Sequence, residues 1–150
     1  MRSNPIALKP YGLINRKRDL KNIPPSEAST WTIHSGPVGV YEGAANYDVD
    51  YKNLAGEEPG FFASLFGTSA VAGTNSYDTE VSWLGFTDKY WLGALIPENI
   101  SEVDAKFRSG GGDIFQAEIA KKNAQIIAPG QQLKTTTRLF AGAKENAVLE

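Results

Sequence analysis

His34 is the only histidine in the sequence, and no cysteine accompanies it. Proton transfer near neutral pH most often uses histidine, and thiolate chemistry needs cysteine, so acid–base and nucleophilic catalysis are thinly supplied. No Gly-x-Ser-x-Gly elbow is present, although a Ser-His-Asp arrangement around His34 stays open on composition. Beside Trp31 and Ile33, His34 reads as a structural or turn residue. Glu42, Asp48 and Asp50 offer hard oxygens without the glycine and terminal glutamate of a calcium loop. Asp48 and Asp50 read instead as the polar face of a strand, and no metal is expected. Among 17 acidic residues nothing singles out a glycosidase pair. Gly110-Gly111-Gly112 lacks the lysine and helical context of a phosphate loop and reads as a hairpin tip. No cofactor is implied. Trp83, Tyr90 and Trp91 remain, as a sugar-stacking platform or, the favoured reading, as core aromatics.

The elements that carry these residues are strands. Val103, Ala105 and Phe107 alternate with Asp104, Lys106 and Arg108. Beyond the triple glycine, Phe115, Ala117 and Ile119 alternate with Gln116 and Glu118. Two-residue periodicity around a glycine turn predicts a hairpin. Leu133, Thr135, Thr137 and Leu139 alternate with Lys134, Thr136 and Arg138 as a half-exposed strand. Residues 6–14 form an extended, proline-interrupted edge segment. Tyr47, Val49 and Tyr51 give another period of two, and Trp31 to His34 a short strand ending at Gly36-Pro37. Trp83 to Pro97 reads as strand, polar turn and second strand. Gly56 to Asn75 is a long loop holding Phe61, Phe62, Leu65 and Phe66 on one face of a helical turn. That cluster either packs under its own loop, the favoured reading, or forms a wedge facing a partner or a membrane. The residues from Ala143 to Glu150 favour a short helix near the C-terminus. The fold class is therefore all-β, an antiparallel sandwich.

The chain has 150 residues and a net charge of −2, which fits one domain with no field for nucleic acid. Arg16-Lys17-Arg18 reads as a solvated basic turn. No run reaches the roughly 20 apolar residues of a membrane span, and no signal peptide is evident. Met1, the only methionine, reads as an added start on a segment of a longer protein.

The segment from Trp83 to Pro97, WLGFTDKYWLGALIP, closely resembles the periplasmic domain of the YidC insertase family. Residues 8–14, the His34-Ser35-Gly36-Pro37-Val38-Gly39 segment, 47–54 and 136–145 are similar to further family segments in the same order. The motif residues are Gly36, Pro37, Gly39, Trp83, Leu84, Gly85, Asp88, Lys89, Tyr90, Trp91, Pro97, Phe140 and Gly142. The resemblance implies a twisted β-supersandwich like that of galactose-mutarotase domains, here its C-terminal part and incomplete. It implies a non-catalytic periplasmic domain of a cell inner-membrane protein that assists insertion and folding of membrane proteins. The implied partners are Sec translocon components and nascent membrane proteins. In this setting Trp83, Tyr90 and Trp91 are expected to hold the sandwich together. The chain departs from the family in beginning well inside the domain and in a longer 56–81 stretch. An incomplete sandwich would self-associate through its open edges. The rival reading is a carbohydrate-binding or mutarotase-like protein.

Overall fold

The computed structural model describes residues 4–25, 34–47, 49–55, 74–77, 79–111 and 113–144, the side chains of 75 and 77 excepted. Among the described residues eleven strands run in chain order: β1 (Ile6–Leu8), β2 (Tyr11–Lys17), β3 (Gly36–Tyr41), β4 (Ala44–Asn46), β5 (Thr74–Tyr77), β6 (Val81–Thr87), β7 (Trp91–Pro97), β8 (Val103–Gly111), β9 (Ile114–Lys121), β10 (Gln125–Ile127) and β11 (Thr137–Ala143). Among the described residues an α-helix, α1 (Tyr51–Ala55), follows β4, and a 3-10 turn at Ile100–Glu102 precedes β8. The strands form a five-stranded sheet, β11-β7-β6-β3-β4, a four-stranded sheet, β2-β9-β8-β5, and a two-stranded ribbon, β1-β10. Every pairing is antiparallel. The all-β sandwich expected from periodicity is the fold observed.

The core forms where alternating apolar faces of the two larger sheets meet. Phe107, Phe115, Ala117 and Ile119 come from one sheet, Val81, Leu84, Phe86 and Leu95 from the other. Phe86 meets Phe107 with ring centroids 5.7 Å apart. Tyr51 of α1 closes one end, stacked on Phe86 at 6.0 Å and tilted against Phe115 at 4.7 Å. Its ring therefore bridges the two sheets.

The β8–β9 hairpin keeps the expected faces, and Gly111 (φ 77°) and Asp113 (φ 62°) supply the reversal. Outside it, Glu118 takes Lys106 at 3.1 Å and Arg108 at 3.7 Å. The β3–β4 turn is Glu42-Gly43, both at positive φ. That is the turn geometry that matches the strand twist.

Four expectations fail for local reasons. Of the strand expected over Tyr47 to Tyr51, Asp48 lies outside the described residues, Tyr47, Val49 and Asp50 are in no strand, and Tyr51 begins α1. Asp50 Oδ1 accepts from Asn53 N–H at 2.7 Å, and Asn53 Oδ1 accepts from Asp50 N–H at 3.3 Å. This reciprocal cap starts a helix and defeats the two-residue pattern. The strand expected from Leu133 begins only at Thr137, opposite Pro97. Beyond that pair Glu98 N–H still donates to Thr136 O at 3.4 Å, and residues 131–136 form no strand. Thr74 and Asn75, expected in the long loop, belong to β5, paired with Arg108 and Phe107. The expected strand end at Gly36-Pro37 is instead the start of β3, and Trp31 to Ile33 lie outside the described residues. So do Phe61, Phe62, Leu65 and Phe66. Of the expected C-terminal helix, Ala143 is the last residue of β11, and 145–150 lie outside the described residues.

Gly85 fixes the centre of the five-stranded sheet. A Cβ there would lie 1.8 Å from Gly93 O and 2.7 Å from Ala94 Cα. Gly85→Ala is expected to cost more than about 3 kcal/mol in urea unfolding, because backbone blocks the site. Phe107→Ala, in the densest part of the core, is expected to cost about 3–5 kcal/mol.

Candidate functional site at the aromatic turn

The motif folds as predicted from the sequence: β6, a polar turn, and β7. Asp88 heads the turn, and its N–H donates to Trp91 O at 2.8 Å. Its carboxylate gathers side chains from two other parts of the chain. Arg16 Nη2 on β2 donates to Oδ2. Ser35 Oγ, just before β3, donates to Oδ1 at 3.0 Å. Asp88 and Arg16 thus join the two facing sheets at one end.

The basic run expected to be a solvated turn is partly interior. Arg16 and Lys17 end β2, and Arg18 is only 7% exposed. The reason is alternation: Gly12, Ile14 and Arg16 share the face of β2 turned to the other sheet. A Cβ at Gly12 would touch Thr137, and Ile14 Cδ1 lies 4.0 Å from the Cβ position of Gly93. The Arg16–Asp88 pair was missed in the sequence because 72 residues separate its members. A lone carboxylate in an aromatic turn was the only available signal.

Tyr51 lies beside this pair. Burial pushes its phenol up to about 12, the Asp88 carboxylate adds to the rise, and Arg16 opposes it. At Lys144, burial lowers the ammonium pKa and Asp88 partly restores it.

Tyr90 and Trp91 correct the expectation of an aromatic spine. They are 60% and 62% exposed. Tyr90 sits in the turn under Lys89, whose Nζ lies 5.1 Å from the ring centroid. Trp91 is on the core-facing side of β7, opposite Ala143, at an end the second sheet does not cover. Trp83 is half-buried, and the core work falls to Leu84, which is fully buried. The remaining motif positions have structural causes. Pro37 is fully buried. A Cβ at Gly39 would lie 2.5 Å from Tyr41 Oη, and one at Gly142 would lie 3.0 Å from Phe140 Cζ. A Cβ at Gly36 would crowd the His34 ring at 3.3 Å.

His34 is structural, as expected. Its Nε2 hydrogen-bonds Pro37 O at 2.7 Å, and its ring meets Tyr47 edge-on at 5.4 Å. Glu42 accepts from Thr79 Oγ1 at 2.6 Å, and Asp50 caps α1, so these two carboxylates serve separate local purposes. Asp48 lies outside the described residues. Among the described residues no group of three acidic or histidine side chains is placed to hold a metal. An open groove of about 380 Å³ runs between Leu8, Lys9, Pro10, Tyr11, Ile127, Leu133 and Thr135. Sequence periodicity gave no hint of it, and its lining carries one cation and no carboxylate.

Three measurements test this site. Asp88→Ala is expected to cost about 2 kcal/mol in urea unfolding. A double-mutant cycle with Arg16→Leu should return a coupling of about 1 kcal/mol, and additivity would show that the pair is idle. Trp91→Ala should cost about 1 kcal/mol or less, as an exposed side chain predicts. A phenol that ionises later in the folded chain than in the unfolded one favours the fold fully below pH about 10. Stability should therefore fall as pH rises from about 10 to about 12, and Tyr51→Phe should flatten that fall.

Among the described residues no helix is long and apolar enough to cross a membrane. The sequence matches the YidC periplasmic domain family across residues 1–150. It is 34% identical over 149 residues to the membrane protein insertase YidC of Zymomonas mobilis, covering 99% of this chain and 22% of that protein. The insertase YidC of Granulibacter bethesdensis is 34% identical, over 97% of this chain and 23% of its own length. That of Allorhizobium ampelinum is 35% identical, over 97% and 21%. The chain spans about a fifth of the length of these relatives. With the motif, the sandwich and this whole-chain match in agreement, the chain belongs to the YidC periplasmic domain family.

Proposed function

We propose that this chain is a non-catalytic contact module of a membrane protein insertase. As a YidC periplasmic domain it lies in the periplasm, as part of an inner-membrane protein. The protein that carries it assists insertion and folding of inner-membrane proteins, alone or with the Sec translocon. The module contributes by touching Sec translocon components and emerging membrane-protein segments. The observation that carries this reading is the family match over the whole chain, joined to relatives named as membrane protein insertases. The geometry supports a contact role. Tyr90, Trp91, Leu139 and Phe140 are exposed at one edge of the five-stranded sheet, where aromatic and apolar side chains serve recognition.

A photo-crosslinking residue at position 91 or 139 of the full-length insertase tests it. Crosslinks to Sec components or to stalled nascent membrane segments are expected, well above those from position 84 in the core. No polypeptide crosslinks from either exposed position, with insertion unchanged when the domain is removed, would overturn the reading.

Exposure of Trp91 and Tyr90 also bears on the sugar-binding alternative. Tyr90 lies in the turn and Trp91 is the first residue of β7, and the Tyr90 ring is already engaged by Lys89 Nζ at 5.1 Å. Monosaccharide titration is expected to leave tryptophan fluorescence without a saturable change. A saturable change would restore the carbohydrate reading.

A further inference from the structure

β11 ends the five-stranded sheet, and among the described residues no strand pairs with its outer edge. Two hydrogen bonds fix the direction of its backbone groups. Lys144 N–H donates to Tyr90 O at 2.7 Å, and Glu98 N–H donates to Thr136 O at 3.4 Å. Both join residues that lie directly opposite in the register pairing Ala143 with Trp91 and Thr137 with Pro97. Backbone groups of an antiparallel strand alternate in direction, so residues 136, 138, 140, 142 and 144 face β7. The N–H and C=O groups of Thr137, Leu139, Ala141 and Ala143 therefore point away from the sheet. All four residues are exposed.

Free sheet edges are normally blunted by shortness, proline, bulges or charge. β4 has three residues and β5 four. β2 ends in Arg16 and Lys17. β11 has seven residues, no proline, and an unbroken register with β7. Its side chains divide by the same alternation. Leu139, Ala141 and Ala143 lie on the core-facing side, opposite Leu95, Gly93 and Trp91. Arg138, Phe140 and Lys144 lie on the outer side. Residues 137–144 carry two cations and no carboxylate. Lys89 stands at the same end as Lys144, over Tyr90.

We propose that the outer edge of β11 captures an extended segment of a partner protein, which joins the sheet as a sixth strand. The segment is apolar on the side of Leu139, Ala141 and Ala143 and acidic on the side of Arg138 and Lys144. Its backbone bonds to the free groups of β11, and its carboxylates meet the two cations. A second copy of this chain suits the edge less well, because pairing β11 with itself gathers four cations and no anion. The proposal deepens the contact role above, on which it rests only for the partner's setting.

A synthetic ten-residue peptide alternating valine and glutamate is the probe, with alternating valine and lysine as its counterpart. Titrated into the chain and followed by amide NMR and hydrogen exchange, the glutamate peptide should bind saturably. It should slow exchange at Leu139, Ala141 and Ala143, weaken with salt, and bind about tenfold more tightly than the lysine peptide. Ala141→Pro removes an outward N–H and leaves the ladder to β7 intact. It should retain cooperative unfolding and lose about tenfold or more in affinity. If that variant fails to fold, the Arg138→Glu and Lys144→Glu double variant should invert the preference between the two peptides. No binding, protection elsewhere on the chain, or unchanged affinity in both variants would overturn the proposal. So would protection of the same amides by concentration-dependent dimerisation, or by anionic phosphatidylglycerol vesicles in place of the peptide. Failure of peptide binding removes this edge as the contact surface, and the crosslinking experiment decides the insertase reading separately.

Discussion

At Gly85 the backbone of β6 comes so close to that of β7 that a Cβ would fall 1.8 Å from a carbonyl oxygen. The rest of the architecture depends on that approach. It sets the register in which Leu84 opposes Leu95, Gly85 opposes Ala94 and Phe86 opposes Gly93. Because side chains alternate, this register sends Leu84, Phe86 and Leu95 together into the core. A slip of one residue would turn Leu84 and Phe86 to the face opposite Leu95. The same hairpin carries the turn with Asp88 and, through β7, positions the edge strand β11.

The second sheet is tied to this hairpin by two kinds of contact. Aromatic rings fill the middle, with Phe86 against Phe107 and Tyr51 touching both Phe86 and Phe115. A charged pair closes one end, where Arg16 reaches Asp88. The pair is half-exposed, so its value lies in direction as much as in energy: it fixes where β2 lies across β7. Ile14 and Gly12 of the same strand then meet Gly93 and Thr137. Among the described residues β2 is the last strand of its sheet, and no strand of that sheet lies beyond it. Leu139 and Trp91 are exposed on the core-facing side for this reason.

The candidate site lies at the aromatic turn. Its carboxylate is occupied by an arginine and a serine, and its histidine is held by a backbone carbonyl. What it presents outward is exposed aromatic and aliphatic surface, a row of unspent backbone groups and several cations.

Periodicity in the sequence determined what is local. The alternation of Val103, Ala105 and Phe107 with charged neighbours, and the glycines after it, gave the β8–β9 hairpin and its buried face. The Trp83 to Pro97 segment gave a strand, a turn and a strand, and with them the family. A local cap was also legible in Asp50 and Asn53, but the stronger two-residue pattern of Tyr47, Val49 and Tyr51 masked it. The tertiary structure alone decided which side chains of the motif are inside. Trp91 and Leu84 are both large and apolar, and sequence spacing treats them alike. Only the width of the opposing sheet buries Leu84 and leaves Trp91 outside. Likewise, nothing near Arg16 in the sequence names Asp88 as its partner. Two sheets must first pack before residues so far apart in the chain meet, because burial and pairing are properties of the assembled layers and hydrophobic pattern is a property of the strand.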